Sequence, residues 1–169
     1  AKAFDTVDHS ILLSKLYKYG IRGAPAELIS NYLSSRTQST VSNGTKSQPQ
    51  IVNCGVPQGS ILGPLLFSLY INDLPNVSLF RVNLFADDAC LLLENPCPNM
   101  LELNVNNELA KVNEWLKVNK LSVNYSKTNY IIFTKCKAKH KFNIELEGHT
   151  IERVANSKYL GVILNEKLN

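Results

Sequence analysis

The sequence predicts an α+β domain built on antiparallel strand pairs. Three observations carry that prediction. Segments with helical spacing are mixed with hairpin signals, without a regular strand-helix-strand alternation. An Asn43-Gly44 pair sits between two strand-like runs, and such a pair tolerates the positive φ of a tight hairpin turn. The 169 residues are 44% hydrophobic and 19% charged, enough apolar material for a core and too much for a disordered tail.

The elements follow in order. Val7, Ile11, Leu12, Leu16 and Tyr19 have helical spacing, with Gly20 a natural stop. Pro25 opens a second helix with Leu28, Ile29, Tyr32 and Leu33 inward. Residues 37–54 read as the hairpin turning at Asn43-Gly44. The stretch from Ser60 to Asp73 is apolar nearly all round, so its helix is expected to be buried on most faces. Pro64 is tolerable only near its start. Residues 79–86 and 89–93 read as two short strands around Asp87-Asp88. Leu101, Val105, Leu109, Val112 and Leu116 then step along a long amphipathic helix. Short strands are expected at 129–134, 142–146, 149–152 and 158–163. No internal repeat or linker divides the chain, so residues 1–169 read as one domain.

Composition narrows the function classes. No run approaches the roughly 18 apolar residues of a membrane span, and no signal peptide is evident. Cys54, Cys90, Cys97 and Cys136 show no C-x-x-C spacing. A disulfide partner or a zinc site is therefore not expected, and a reducing, intracellular compartment is. The net charge of +4 hints at a polyanionic partner. Eight lysines lie between Lys111 and Lys141 against one acid, Glu114. The run Lys135, Lys137, Lys139, Lys141 reads either as a solvated loop or as an edge that contacts phosphates.

Two segments carry chemistry. Asp87 and Asp88 are adjacent between two apolar runs. Like charges about 4 Å apart repel by roughly 1 to 4 kcal/mol in watery to near-surface surroundings. A divalent cation removes that cost, and Mg²⁺ prefers carboxylate oxygens; an Asp-rich turn is the plainer alternative. The second is Gly55-Val56-Pro57-Gln58-Gly59-Ser60. Its glycines let the backbone pass close to a ligand, Gln58 both donates and accepts, and the helix start favours anions. Asp5 and Asp8 read as helix-start carboxylates. His9, His140 and His149 show no partner spacing. Cys90 and Trp115 read as core.

The ordered blocks Lys2-Ala3-Phe4-Asp5, GVPQGSILGPLLFSLYINDLP, FADDA, LSVNYSKTNYIIF and KYLGVIL resemble the palm of reverse transcriptases, most closely those of non-LTR retrotransposons. The resemblance covers nearly the whole chain. It implies an antiparallel-sheet palm with helices on one face, and RNA-directed DNA synthesis from dNTPs on an RNA template and a DNA primer. Two Mg²⁺ ions, or Mn²⁺ in their place, would be held by Asp87 as main ligand and Asp88 as the more variable partner. Gln58 and Gly59 match the segment against the incoming nucleotide and template. Phe4 matches the gate beneath the sugar, with ordinary core as its alternative. Lys127 matches a general acid toward pyrophosphate, or else is a surface charge. Tyr159, Leu160 and Gly161 match the hairpin that grips the primer, with an apolar strand carrying a bulge as the other reading.

The family's first catalytic Asp belongs to D-x-x-K-A-F-D. With Lys2 in the lysine's place, that Asp falls before Ala1. The resemblance therefore implies a palm fragment whose fingers and thumb lie outside the chain, inactive by itself. The family also implies a nuclear setting. The alternatives are an inactive or domesticated palm remnant that binds nucleic acid or protein, and an intron-encoded reverse transcriptase. Phe4 disfavours an RNA-making polymerase, and the intact GVPQG and ADD blocks argue against long decay.

Overall fold

A computed structural model describes residues 3–134 and 140–168. Lys2, Lys135, Cys136, Lys137 and Lys139, which figured in the sequence reading, lie outside the described residues. A short 3-10 turn, Ala3–Asp5, leads to helix α1, His9–Lys18. Asp8 caps α1, accepting from the Ile11 N–H at 3.0 Å, which satisfies one of the free donors of the first turn. Leu12 and Leu16 are buried, and Gly20, at φ +90°, follows the helix end. Helix α2, Ala24–Leu33, carries Pro25 in its first turn. Leu33 is buried, but Leu28 is 67% exposed, against expectation. The helix packs along α1, so only one narrow stripe of it faces the core.

Residues 37–51 form two nested ladders. Strands β1 (Thr37–Gln38) and β4 (Gln50–Ile51) pair outside β2 (Val41–Ser42) and β3 (Thr45–Lys46). Asn43 and Gly44 both have positive φ, 50° and 77°, as a two-residue hairpin turn of right-handed twist requires. All eight strand residues are exposed. The hairpin stops at Ile51 rather than at residue 54. Cys54 instead bridges to Asp8, bringing the chain back to α1.

Helix α3, Leu62–Ile71, is less enclosed than its composition suggests. Leu66, Phe67, Tyr70 and Ile71 are buried, whereas Ile61 just before it is 95% exposed and Leu65 55%. One side packs on α1 and the 3-10 turn, and the side that carries Leu65 stays largely open. Pro64 lies in the first turn, where its missing N–H loses no helix bond. Strands β5 (Arg81–Phe85) and β6 (Asp88–Leu92) then form a five-residue antiparallel ladder. Val82, Leu84 and Leu91 lie against the core.

Helix α4, Pro98–Val118, buries Val112 and Trp115 in the main core. Its Val105 and Leu109 also touch a second, smaller cluster formed by Ile144, Leu146 and Ile151. Glu108 is buried on α4, accepting from the Leu79 N–H at 2.7 Å and from Lys111 at 2.6 Å. That ties α4 to the residues that lead into β5. Lys15 is also buried, donating to the Tyr70 carbonyl and to Asp73 under the Tyr70 and Trp115 rings.

The remaining strands are short: β7 (Asn129–Tyr130), β8 (Glu145–Leu146), β9 (His149–Thr150), β10 (Glu152–Arg153), β11 (Asn156–Tyr159) and β12 (Val162–Asn165). The expected strand at 129–134 is reduced to two residues, and β7 pairs with β10 in parallel. The expected strand at 158–163 is instead the turn of the β11–β12 hairpin. Leu160 and Gly161 stand at φ 48° and 87°, which no strand allows. Among the described residues the strands form six two-stranded ladders, five of them antiparallel.

Two carboxylates bind the end of α4 to the rest. Asp8 also accepts from Lys120 at 2.6 Å, and that bond, with those from Ser10 and Ile11, holds its carboxyl well below its ordinary 3.8. Glu147 takes Lys117, Tyr125 and Asn113 as donors, which lower it from 4.5 to about 2. Both groups have depressed folded-state values. Their contribution is therefore complete above the ordinary carboxylate range and is lost as pH falls through the folded values. The urea midpoint of the chain is expected to be flat above about pH 5 and to fall steadily on acidification toward about pH 2. In an Asp8→Asn/Glu147→Gln variant, measured by the same unfolding curves, that fall should be shallower. An identical acid slope in variant and wild type would contradict the assignment.

Candidate active site on the acidic hairpin

The β5–β6 ladder pairs Phe85 with Asp88, leaving Ala86 and Asp87 as a two-residue loop. Ala86 carries the strain of the turn at φ 49°. Asp87 and Asp88 are both exposed at the tip. Neither carboxylate accepts a hydrogen bond or forms an ion pair with another described residue. Two sequence-adjacent, unengaged carboxylates at one turn offer hard oxygen donors, the kind that a divalent cation prefers. Among the described residues no cluster of three or more His, Cys, Asp or Glu forms a metal-sized cage. The donor set still fits Mg²⁺, which is commonly held by one or two carboxylates, with water and substrate phosphates completing the octahedron.

A cavity of about 630 Å³ adjoins this turn. Phe67, Ile71, Leu74, Leu84 and Trp115 give it an apolar lining. Ser122, Asn124, Tyr125 and Ser126 add polar groups. That polar segment belongs to the LSVNYSKTNYIIF block, of which the sequence assigns a role to Lys127 alone. Its signal is the local turn chemistry of Asn-Tyr-Ser-Lys-Thr. The Asn124 carbonyl accepts from the N–H groups of Lys127 and Thr128 and from the Thr128 hydroxyl. The Asn124 side chain accepts from Ser126 at 2.7 Å. Lys127 is exposed and follows directly on this lining without being part of it.

The 55–60 loop is fastened to the chain's first residues. The Gly55 N–H donates to the Val7 carbonyl and the Val56 N–H to the Phe4 carbonyl, each at 2.7 Å. A Cβ on Gly55 would stand 2.8 Å from the Asp5 carbonyl oxygen. The close approach that this glycine permits is thus to the chain itself rather than to a ligand. Gly59 has open space around it and holds φ 77°. Ser60 accepts from the Gly63 N–H at 2.9 Å, occupying a donor in the first turn of α3.

The other expected residues are distributed around this frame. Phe4 is half-buried, its ring stacked on Phe67 at 4.6 Å. Gln58 is exposed and donates to Asp5 at 2.8 Å. Asp5 thus sits in the Ala3–Asp5 3-10 turn while also engaging Gln58, and Asp8 is the carboxylate that caps α1. Tyr159, Leu160 and Gly161 sit at the tip of the β11–β12 hairpin. The structure places Asp87 and Asp88 on the cavity. It does not place Phe4, Gln58, Gly59, Lys127 or Tyr159–Gly161 in the cavity's lining.

The histidines have partners that spacing did not reveal. His9 bonds the Gly55 carbonyl at 2.7 Å, His140 meets Glu102 at 3.0 Å, and His149 stacks on Tyr125. Lys111, Lys117 and Lys120 are each matched to a carboxylate. A phosphate-contacting edge is accordingly narrower than the lysine count suggests. Trp115 is buried as expected, and Cys90 is partly so.

Helices packed against an antiparallel hairpin with two aspartates at its turn define a fold of polymerase-palm type. The chain belongs to the reverse transcriptase (RNA-dependent DNA polymerase) family, whose model matches residues 1–164. It is 33% identical to a probable RNA-directed DNA polymerase from transposon BS of Drosophila melanogaster. It is 32% identical to one from transposon X-element of the same fly, and 29% to one from mobile element jockey of Drosophila funebris. Each similarity covers 99% of this chain and 19% of the relative. The chain thus spans about a fifth of the length of these relatives. The family is generally dependent on divalent metal ions. No helix among the described residues is long and apolar enough to cross a membrane.

Proposed function

We propose that this chain forms the catalytic palm region of an RNA-directed DNA polymerase that extends a DNA primer with dNTPs on an RNA template. The observation that carries the reading is the exposed Asp87-Asp88 pair, free of other partners among the described residues, at the turn of an antiparallel hairpin. In the reaction the primer's 3′-hydroxyl gives its proton to water, its oxygen bonds to the nucleotide's α-phosphorus, and the bond to pyrophosphate breaks. Asp87 is the main metal ligand and Asp88 its partner. Bound Mg²⁺, or Mn²⁺ in its place, would lower the pKa of the 3′-hydroxyl and neutralise charge on the leaving group. Lys127, next to the Asn124 turn, donates a proton to the departing pyrophosphate. Gln58 and Gly59 pack against the incoming nucleotide and template. The Leu160-Gly161 turn, with Tyr159, bears on the primer.

Phe4 is the gate beneath the sugar. Its support is the stack on Phe67, which keeps the ring in one place. In a full-length polymerase carrying this chain, primer extension on RNA with dNTPs and Mg²⁺ tests the activity. Failure to extend on RNA under conditions where the wild-type relatives do so would reject the reading. Within that assay, Phe4→Ala is expected to lower the deoxy-over-ribo ratio of kcat/KM by at least about tenfold, about 1.4 kcal/mol. An unchanged ratio would make Phe4 core and move the gate elsewhere.

A further inference from the structure

The Gln58 amide donates from Nε2 to Asp5 Oδ1 at 2.8 Å. A carboxylate accepts hydrogen bonds and does not donate them. This partner therefore selects the NH₂ end of the amide and turns Gln58 Oε1 away from Asp5 as a free-facing acceptor. Both side chains are exposed, so burial in the core does not account for their meeting. Backbone contacts account for it. Residues 4–8 and 54–56 are held in register by Val56 N–H to the Phe4 carbonyl, Gly55 N–H to the Val7 carbonyl, and the Asp8–Cys54 bridge. His9 adds a bond from Nε2 to the Gly55 carbonyl at 2.7 Å. The missing Cβ of Gly55 lets the Asp5 backbone come within van der Waals contact. None of these contacts uses the Asp5 carboxylate, so the frame persists without it.

We propose that Asp5 is the positioning residue for Gln58. It holds the amide in one of its two orientations, so that the carbonyl oxygen meets a hydrogen-bond donor on the incoming nucleotide. The inference rests on the reading that Gln58 contacts that nucleotide. Without Asp5 the amide is free to rotate and to flip, and binding of the nucleotide must then select one orientation from several. The effect falls on KM rather than on the chemical step, because Asp5 touches neither the nucleotide nor the metal ligands.

The test is steady-state incorporation of a single dNTP on an RNA template by a full-length polymerase carrying this chain. Asp5→Ala, Asp5→Asn, Gln58→Ala and the Asp5→Ala/Gln58→Ala double variant are compared with wild type. Asp5→Ala is expected to raise KM for the dNTP about tenfold, with kcat within about twofold. Asp5→Asn, whose amide oxygen still accepts, should keep KM within about threefold of wild type. The double variant should be no worse than Gln58→Ala alone, because both changes remove one interaction. If Gln58→Ala raises KM while Asp5→Ala does not, or if the two effects multiply, Asp5 does not position Gln58. If Gln58→Ala leaves KM unchanged, the nucleotide contact itself is wrong, and the role of Asp5 falls with it. Should Asp5→Ala lower the unfolding midpoint, the Asp5→Asn value and the double-variant comparison still decide.

Discussion

Asp87→Ala is expected to lower Mg²⁺-dependent DNA synthesis on an RNA template by about 10³-fold or more, about 4 kcal/mol of transition-state stabilisation. The carboxylate stands at an exposed two-residue turn with no partner among the described residues. Its removal therefore breaks no native contact, and exposed changes of this kind usually alter stability by less than about 0.5 kcal/mol. That separation makes the experiment informative. Activity should collapse while the unfolding midpoint stays in place. Asp88→Ala should cost less, because in the proposed site Asp87 is the main ligand and Asp88 its partner. The measurement is single-nucleotide extension of a DNA primer across a Mg²⁺ titration, in a full-length polymerase carrying this chain. Extension by Asp87→Ala near the wild-type rate would remove the metal assignment and, with it, the observation on which the proposed function stands.

Phe67→Ala has the largest expected effect on stability. Phe67 is 3% exposed, receives the Phe4 ring at 4.6 Å and lines the cavity beside the acidic turn. Truncating a buried phenylalanine typically costs about 3–5 kcal/mol, combining lost transfer energy with the cavity left behind. Here the existing cavity adjoins the gap, so collapse to refill it is impeded and the upper part of that range is expected. Phe67→Leu, which keeps most of the volume, should cost less than about 1.5 kcal/mol. Urea unfolding of the chain and its two variants checks both figures. A loss below about 1 kcal/mol for Phe67→Ala would mean that Phe4 and Phe67 pack too loosely to hold a gate. Phe67→Ala should also relax sugar discrimination, because the ring beneath Phe4 is gone.

Several features were legible in the sequence because their causes are local. The Asn43-Gly44 turn follows from two residues that tolerate positive φ, whatever surrounds them. Helix α1 follows from its apolar spacing, the Asp8 cap and the Gly20 stop. The long helix α4, 21 residues, follows from a stripe that repeats from Leu101 to Leu116. The acidic turn follows from the same logic. Two charged residues between two apolar runs can stand together only where the chain reverses and reaches water.

Other features needed the tertiary structure, because their causes lie far along the chain. Asp5 reads as a helix-start acid, and only the fold shows that Gln58, 53 residues away, reaches its carboxylate. Lys120 read as one charge of a basic stretch, yet its partner, Asp8, lies 112 residues distant. The apolar surface of α3 gave no indication that Ile61 and Leu65 would face outward. Hydrophobicity states which groups gain from burial and not which neighbours are present to cover them. The Leu160-Gly161 reversal was hidden for a related reason. The run Tyr159-Leu160-Gly161-Val162-Ile163 suits both a strand bulged at Gly161 and the two arms of a hairpin, and turn geometry decides between them. The sequence by itself determined the helices, the first hairpin and the place of the two aspartates, since periodicity and turn chemistry act between near neighbours. Only the tertiary structure decided which charges are matched, which apolar faces are covered, and that Gln58 is held by Asp5. Those outcomes depend on contacts between residues that chain order alone does not bring together.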